Sequence, residues 1–281
     1  MTVQPKPSES LHSAIALPEF NVFAIDFGGF GIRWYALAYI AGLLIGIYIL
    51  RRETRSPHAV MTADQTDWLL NYLLIGIIFG GRLGYVVFYN SAHYLENPLL
   101  ILYVWQGGMS FHGALIGVGL ALLTMAKRHN IVFLAVSDRV AMVTPIGLFF
   151  GRLSNFINGE LYGRVTDVPW AMIFPHSDGL PRHPSQLYEA GLEGILLGLA
   201  TYLCWRLGWL RATGRMTGLF LFGYGMARFF VELVRQPDAH IGLLAGALSM
   251  GQILSLPMIL LGLCLLRDVL RPSRDKGHDH E

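Results

Sequence analysis

Arg152, Asn155, Asn158 and Glu160 fall within the stretch GRLSNFINGELYG, Gly151–Gly163, directly after the apolar run AMVTPIGLFF. A second polar group, Arg228, Glu232 and Arg235 in RFFVELVRQPD, is spaced i, i+4 and i+7, which on one continuous helix is one face. That face carries two guanidiniums and one carboxylate, a net positive charge. His112 in MSFHGALIG stands among small residues that let backbones approach. Guanidiniums never lose their charge and present planar donors that grip phosphate oxygens, so arginines on distinct segments suit a divalent or diffuse anion. Beside a lipid, the commonest such anion is a phospholipid headgroup. A histidine at similar depth can act as base on a neighbouring nucleophile.

Each group also has a plainer use. Arg228, Glu232 and Arg235 would make an intrahelical salt-bridge ladder at a membrane edge, and His112 a satisfied interior histidine. GRLSNFINGELYG would serve as a helix end whose amides satisfy free carbonyls. Arg82 and the pair Asp138 and Arg139 lean towards structure, pairing with one another or with loops. Tyr35, Tyr188 and Tyr224 would be interfacial aromatics. A transporter or channel for an anion would line its passage with the same arginines, but no inverted repeat is visible. An intramembrane hydrolase needs a nucleophile beside a base; Ser110 precedes His112 by two residues, and nothing else completes such a set.

The elements that position these residues are set by composition. The 281 residues are 53% hydrophobic and 14% charged, against about 45–50% and 25% in soluble domains, so the chain reads as an all-α integral membrane protein. Its net charge of +2 does not point to nucleic acid. Cys204 and Cys264 lie in apolar runs without metal-ligand spacing and read as plain lipid-depth or core residues. The amino terminus lacks the apolar core of a cleavable signal peptide. A bilayer core needs roughly 20 apolar residues as helix. Seven transmembrane helices are expected near 32–50, 67–89, 110–127, 132–150, 185–205, 216–235 and 249–267, in a single polytopic domain, with Pro145 kinking the fourth.

Basic residues orient the bundle. Arg51, Arg52 and Arg55 follow the first span, Lys127 and Arg128 the third, Arg206, Arg211 and Arg215 flank the fifth-to-sixth connection, and Arg267, Arg271, Arg274 and Lys276 follow the seventh. The amino terminus is therefore expected outside and the carboxyl terminus in the cytoplasm. The connection near 151–184 breaks the pattern with Arg152, Arg164 and Arg182 on the outer side. Rich in Gly and Pro, it is expected to form a small outer cap between the fourth and fifth helices, with Trp170 and Phe174 at the interface. The tail SRDKGHDHE reads as a solvated end.

Charged side chains at membrane depth cost about 2.5–3.5 kcal/mol on insertion scales and usually mark function. Here they also carry a resemblance. G-R-x-x-N-F-x-N-x-E-x-x-G, matched by Gly151, Arg152, Asn155, Phe156, Asn158, Glu160 and Gly163, resembles the signature of the bacterial prolipoprotein diacylglyceryl transferases. Further blocks follow the same family in order: RWYALAY (Arg33–Tyr39), FHGALIG (Phe111–Gly117), RHPSQLYE (Arg182–Glu189) and RFFVELVRQPD (Arg228–Asp238). Two positions depart from its pattern, Ala114 where HGG is usual and Ser154 where Gly or Ala is usual, which puts close backbone packing in question.

The resemblance implies a multi-pass protein of the bacterial inner membrane. It would transfer the diacylglyceryl group of phosphatidylglycerol to the lipobox cysteine thiol of a preprolipoprotein signal peptide, leaving a thioether and releasing glycerol phosphate. No metal, nucleotide or other cofactor is called for, and the partners are membrane lipid and peptide, not nucleic acid. A thiol needs a base or a positive field to become thiolate, and a departing phosphate needs donors placed in advance. On this reading Arg152 and Arg228 hold the phosphate, Asn155 and Asn158 fix the headgroup, and His112 is the base. Glu160 orients an arginine or binds the glycerol hydroxyls, Glu232 and Arg235 hold Arg228, Tyr35 and Tyr224 line the cavity, and Gly163 belongs to the same binding set. Lipid and peptide would enter through two lateral openings.

Overall fold

The computed structural model describes residues 14–21, 23–26, 28, 31–89, 91–236, 243–244 and 248–270. The tail expected to be solvated, the residues before 14, and Pro237 and Asp238 of the last block lie outside them. In chain order the elements are β1 (Ile15–Ala16), β2 (Phe23–Asp26), β3 (Gly31–Arg33), α1 (Trp34–Glu53), α2 (Ala63–Tyr89), α3 (Ser91–Glu96), α4 (Phe111–Arg128), α5 (Phe133–Ile157), β4 (Met172–Ile173), α6 (Ser185–Arg206), α7 (Arg215–Val231), β5 (Leu243–Leu244), β6 (Leu248–Ser249) and α8 (Met250–Leu270). A helix stands at each of the seven expected segments. Among the described residues five of them, α1, α2, α5, α6 and α8, are long and apolar enough to cross a membrane; α4 has 18 residues and α7 has 17.

Two helix ends differ from expectation. The fourth long helix, α5, does not stop near residue 150 but continues to Ile157, so Arg152 and Asn155 project from helix, not from a loop. Nothing in GRLSNFI breaks a helix; the first strong breaker is Gly159, at φ +65°. Conversely, α7 ends at Val231, and residues 232–234 form a turn. Arg235 therefore lies beyond the helix and does not extend the face that holds Arg228. Pro145 sits inside α5, where it supplies no N–H. The Thr201 hydroxyl of α6 donates to the nearby Met142 carbonyl at 3.3 Å, the kind of neighbour that makes a membrane proline tolerable.

The chain divides into two compact units, one comprising everything up to Gly46 together with Ala141 onward, the other Ile47–Val140. In the second, α2 and α4 cross backbone to backbone. Cβ atoms built on Gly117 and Gly113 would lie 2.0 Å and 2.3 Å from the carbonyl oxygens of Gly76 and Gly80, so only glycine fits this small-xxx-small seam. The Ala114 methyl lies 3.7 Å from a Cβ built on Gly81, ordinary packing distance, and does not hold the helices apart. Arg82 folds the connection after α3 around itself: it donates to the carbonyls of Leu100 (2.6 Å), Ile101 (2.8 Å), Tyr103 (3.2 Å) and Gly107 (2.5 Å) and lies 5.1 Å from the centre of the Tyr94 ring. Arg139 is buried against Glu53 at 3.1 Å and donates to the His58 carbonyl at 3.1 Å. The structural reading of both arginines holds.

In the first unit α7 and α8 repeat the glycine device, a Cβ on Gly262 falling 2.5 Å from the Phe222 nitrogen. Gly194 of α6 meets Phe149 of α5, where a Cβ would lie 2.6 Å from the Phe149 Cβ. Within α6, residues Ala190–Leu196 are wound as π-helix, a form that is rare and frequent at functional sites. The connection from 158 to 184 is tied down by short pairings: β1 runs parallel to β4, Met172 and Val165 bridge to Arg182, and Gly163 bridges to Arg235. Phe174, expected at an interface, is buried against Phe156 and Tyr162; Trp170 is exposed and donates to the Tyr188 hydroxyl at 2.6 Å.

Candidate functional site: an arginine and glutamate cluster

Three helices of the first unit bring charge together. Arg152 comes from the last turns of α5, Glu189 and Glu193 from the start of α6 and its π segment, and Arg228 from the end of α7, with Glu232 and Arg235 just beyond it. Arg152 lies 2.5 Å from Glu189 and donates through Nε and Nη2 to Glu193 at 3.3 Å and 3.2 Å. Arg228 pairs closely with Glu232 and stands 3.4 Å from Glu189. Arg235 donates to Glu189 at 2.9 Å and lies 3.8 Å from Glu232. The carboxylates are almost wholly buried, and the guanidiniums are 11–17% exposed.

Three guanidiniums thus face three carboxylates. The net positive face read from RFFVELVRQPD is corrected: Glu189 and Glu193, on a different helix, balance it. A buried excess of positive charge would be costly, and the pairing removes that cost. Charge balance is not the same as hydrogen-bond satisfaction. Arg228 Nη1, Glu189 Oε2 and Glu193 Oε1 are buried and have no hydrogen-bond partner among the described residues. Their ion-pair distances are short but their donors do not align, leaving directional capacity for another group. Glu232 is held differently, accepting from the Ser249 hydroxyl at 2.7 Å.

A second group adjoins it. Asn155 Nδ2 donates to the Tyr35 hydroxyl, which donates to Glu160 Oε2 at 3.2 Å. Glu160 therefore orients a tyrosine, and its backbone carbonyl accepts from Gln186 at 2.6 Å. Asn158 Oδ1 is a buried acceptor without a partner among the described residues. It lines a cavity of about 500 Å³ together with Glu19, Phe20, Glu160, Tyr162 and His176. Tyr224 lies one turn before Arg228 on α7, stacked on Phe220. Ser154, the second departure from the family pattern, is buried with its hydroxyl 3.5 Å from the Trp34 carbonyl.

Gly163 acts through its backbone. Its N–H donates to the His183 carbonyl at 2.8 Å, and a Cβ there would lie 2.6 Å from both His183 Cβ and the Val234 carbonyl oxygen. The contact lets Arg164 donate to the Arg235 carbonyl at 3.0 Å, fixing the chain beyond α7. Arg182 donates to Asp178 at 2.6 Å and to the Gly163 carbonyl at 3.1 Å. Of the arginines in this connection that the expected topology left unexplained, Arg164 and Arg182 are thus tethers. The Arg182 hydrogen bond holds the Asp178 carboxyl below its ordinary value, and burial lowers the His183 imidazole pKa, opposed by Asp167.

His112 belongs to the other unit. It is exposed on the first turn of α4, behind the cap at Ser110, whose hydroxyl accepts from the Gly113 N–H at 3.2 Å. The residues that sequence reasoning passed over are Glu189, quoted only as the end of a block, and Glu193. Two carboxylates four apart inside an apolar span were the available signal.

Comparison with known proteins bears on what such a cluster serves. The family profile described as prolipoprotein diacylglyceryl transferase matches residues 22–267. A phosphatidylglycerol–prolipoprotein diacylglyceryl transferase of Rhodospirillum rubrum is 54% identical over 255 residues, covering 89% of this chain and 92% of its own length. The protein of the same name from Bordetella bronchiseptica is 52% identical, covering 91% and 97%, and that from Nitratidesulfovibrio vulgaris (strain DP4) is 47% identical, covering 94% and 98%. Profile and relatives span both the arginine cluster and the helices that carry it: the chain belongs to the prolipoprotein diacylglyceryl transferase family.

Proposed function

We propose that this chain transfers the diacylglyceryl group of phosphatidylglycerol to the lipobox cysteine of preprolipoproteins, the first step of bacterial lipoprotein maturation. The sulfur attacks the glyceryl methylene carbon, the carbon–oxygen bond to phosphate breaks, and glycerol phosphate leaves with the bonding electrons. The thiol's proton balances the departing phosphate. The observation that carries this reading is the pair Arg152 and Arg228, two largely enclosed guanidiniums from different helices facing one buried carboxylate, Glu189. Preorganised cations in a site shielded from water stabilise charge that develops on a leaving phosphate far better than they would in solvent.

The remaining roles extend that reading. Asn155, through Tyr35, and Glu160 form a polar relay beside the arginines, and Asn158 and Glu160 at the 500 Å³ cavity suit glycerol hydroxyls. Glu232 and Arg235 hold Arg228, Tyr224 one turn before it on α7 lines the lipid site, and Gly163 holds Arg235 by its close backbone contact. His112 is the base for the incoming thiol. The protein is one polytopic domain of the bacterial inner membrane with seven spans, an outer amino terminus, a cytoplasmic carboxyl terminus, and the 158–184 segment as an outer cap. Its partners are phosphatidylglycerol, the surrounding lipid and signal peptides.

The test is incorporation of phosphatidylglycerol labelled in its diacylglyceryl part into a lipobox peptide by the purified protein. Label is expected on the cysteine peptide, not on a Cys→Ser peptide, and not with Arg152→Ala. Absence of label from a well-folded preparation, or label insensitive to Arg152, would overturn the assignment.

A further inference from the structure

Glu189 holds a position that the reaction itself does not explain. It is 1% exposed and, among the described residues, is the one carboxylate within ion-pair distance of all three arginines. Its contacts are unequal in kind. To Arg235 it accepts a well-formed hydrogen bond at 2.9 Å. To Arg152 it is close, 2.5 Å, yet Oε2 accepts no hydrogen bond, and Arg228 Nη1, 3.4 Å from Oε1, donates none. The carboxylate therefore neutralises the two phosphate-gripping arginines without satisfying their directional donors, and is properly bonded only to the third.

We propose that Glu189 is an internal counter-ion that occupies the arginine site between turnovers and is displaced by the lipid phosphate. The inference rests on the assignment of Arg152 and Arg228 to the phosphate. A phosphodiester brings oxygens that can align with the forked donors, and charge-assisted bonds of good geometry are about twice as strong as neutral ones. Arg235 keeps the displaced carboxylate, since it is itself fixed by the bond from Arg164 to its carbonyl and by the Gly163 bridge. The π-helical turn that starts at Ala190 adjoins the residue that has to move. When glycerol phosphate departs, Glu189 returns and closes the donors against product.

A site competent for only a fraction of the time binds with an affinity reduced by that fraction. Glu189→Gln removes the competing charge, so phosphatidylglycerol in phosphatidylcholine nanodiscs should bind roughly tenfold more tightly. Added glycerol phosphate should inhibit at correspondingly lower concentration, KM for the lipid should fall, and kcat should fall with it as product release slows. Glu189→Asp, which retains the charge on a shorter side chain and so competes less well, should fall between wild type and Glu189→Gln in both parameters. A purely structural role would raise KM and lower kcat. Weaker or unchanged lipid binding by folded Glu189→Gln overturns the proposal. If Glu189→Gln does not fold, Glu189→Asp alone decides: a shorter carboxylate competes less well, so unchanged product inhibition also overturns it. Arg152→Ala separates the two readings. Loss of lipid binding there with no gain in Glu189→Gln refutes only the counter-ion, whereas lipid binding indifferent to Arg152 refutes the phosphate site.

Discussion

Removing Arg152 perturbs two things at once, and the cluster shows how to separate them. Arg152→Met leaves two guanidiniums against three carboxylates, with Glu193 fully buried and stripped of the partner to which it is hydrogen-bonded. Breaking a buried pair from one side costs about 3–5 kcal/mol, most of it from the charge left behind. Adding Glu193→Gln restores the balance at two against two. Because Glu193 makes its hydrogen bonds with Arg152, the two substitutions should couple by about 2 kcal/mol and return much of the lost stability. Transfer should not return: on the proposed assignment the donor to the leaving phosphate is still missing, a loss of about 10²–10³ in rate by analogy with other preorganised donors. Thermal unfolding in nanodiscs and label transfer to a lipobox peptide read the two quantities independently. If the double variant regained transfer along with stability, Arg152 would be only a structural counter-charge and the phosphate argument would fail.

Three further outcomes are expected. Arg228→Lys keeps the charge but loses the fork that reaches both Glu232 and Glu189, so kcat/KM should drop by roughly tenfold or more, one charge-assisted bond being worth about 1.5–3 kcal/mol; near-normal kinetics would exclude bidentate contact. Gly117→Ala should destabilise by about 1–3 kcal/mol through overpacking at the α2–α4 crossing, while Gly119→Ala, with nothing within 4 Å of its Cβ, should be neutral or better, as unfolding midpoints will show. His183 has a pKa below its ordinary 6.5, so the unfolded chain takes up its proton first and stability should begin to fall as pH drops below about 6.5. His183→Gln should lack that part of the acid sensitivity, leaving the loss from Asp178 that starts only below its ordinary 3.8; a wild-type and variant pair with parallel pH profiles would refute the assignment.

Long apolar runs made the helices legible, and small residues in FHGALIG announced a close crossing that the structure places at Gly113 and Gly117. Arg82 and Arg139 were also readable as structural, because an arginine at depth without a motif has backbone carbonyls and stray carboxylates as its cheapest partners. Periodicity misled where it was extended past a helix end: Arg235 is i+7 from Arg228 in sequence, yet α7 stops at Val231. It misled in the opposite sense at Gly151, where polarity was taken for a loop although no residue there breaks a helix. Glu189 and Glu193 escaped notice because their partners lie on other helices. Charge balance in a buried site is a property of the assembled fold, and no single segment carries it.

The glycine contacts have a bearing on traffic. Where two helices touch backbone to backbone, no side chain stands between them to swing aside, and parting them means breaking the whole crossing. The α2–α4 seam is of this kind at Gly76, Gly80, Gly113 and Gly117. It is a weld within its unit, and any movement that opens the unit has to use seams filled by side chains that can turn.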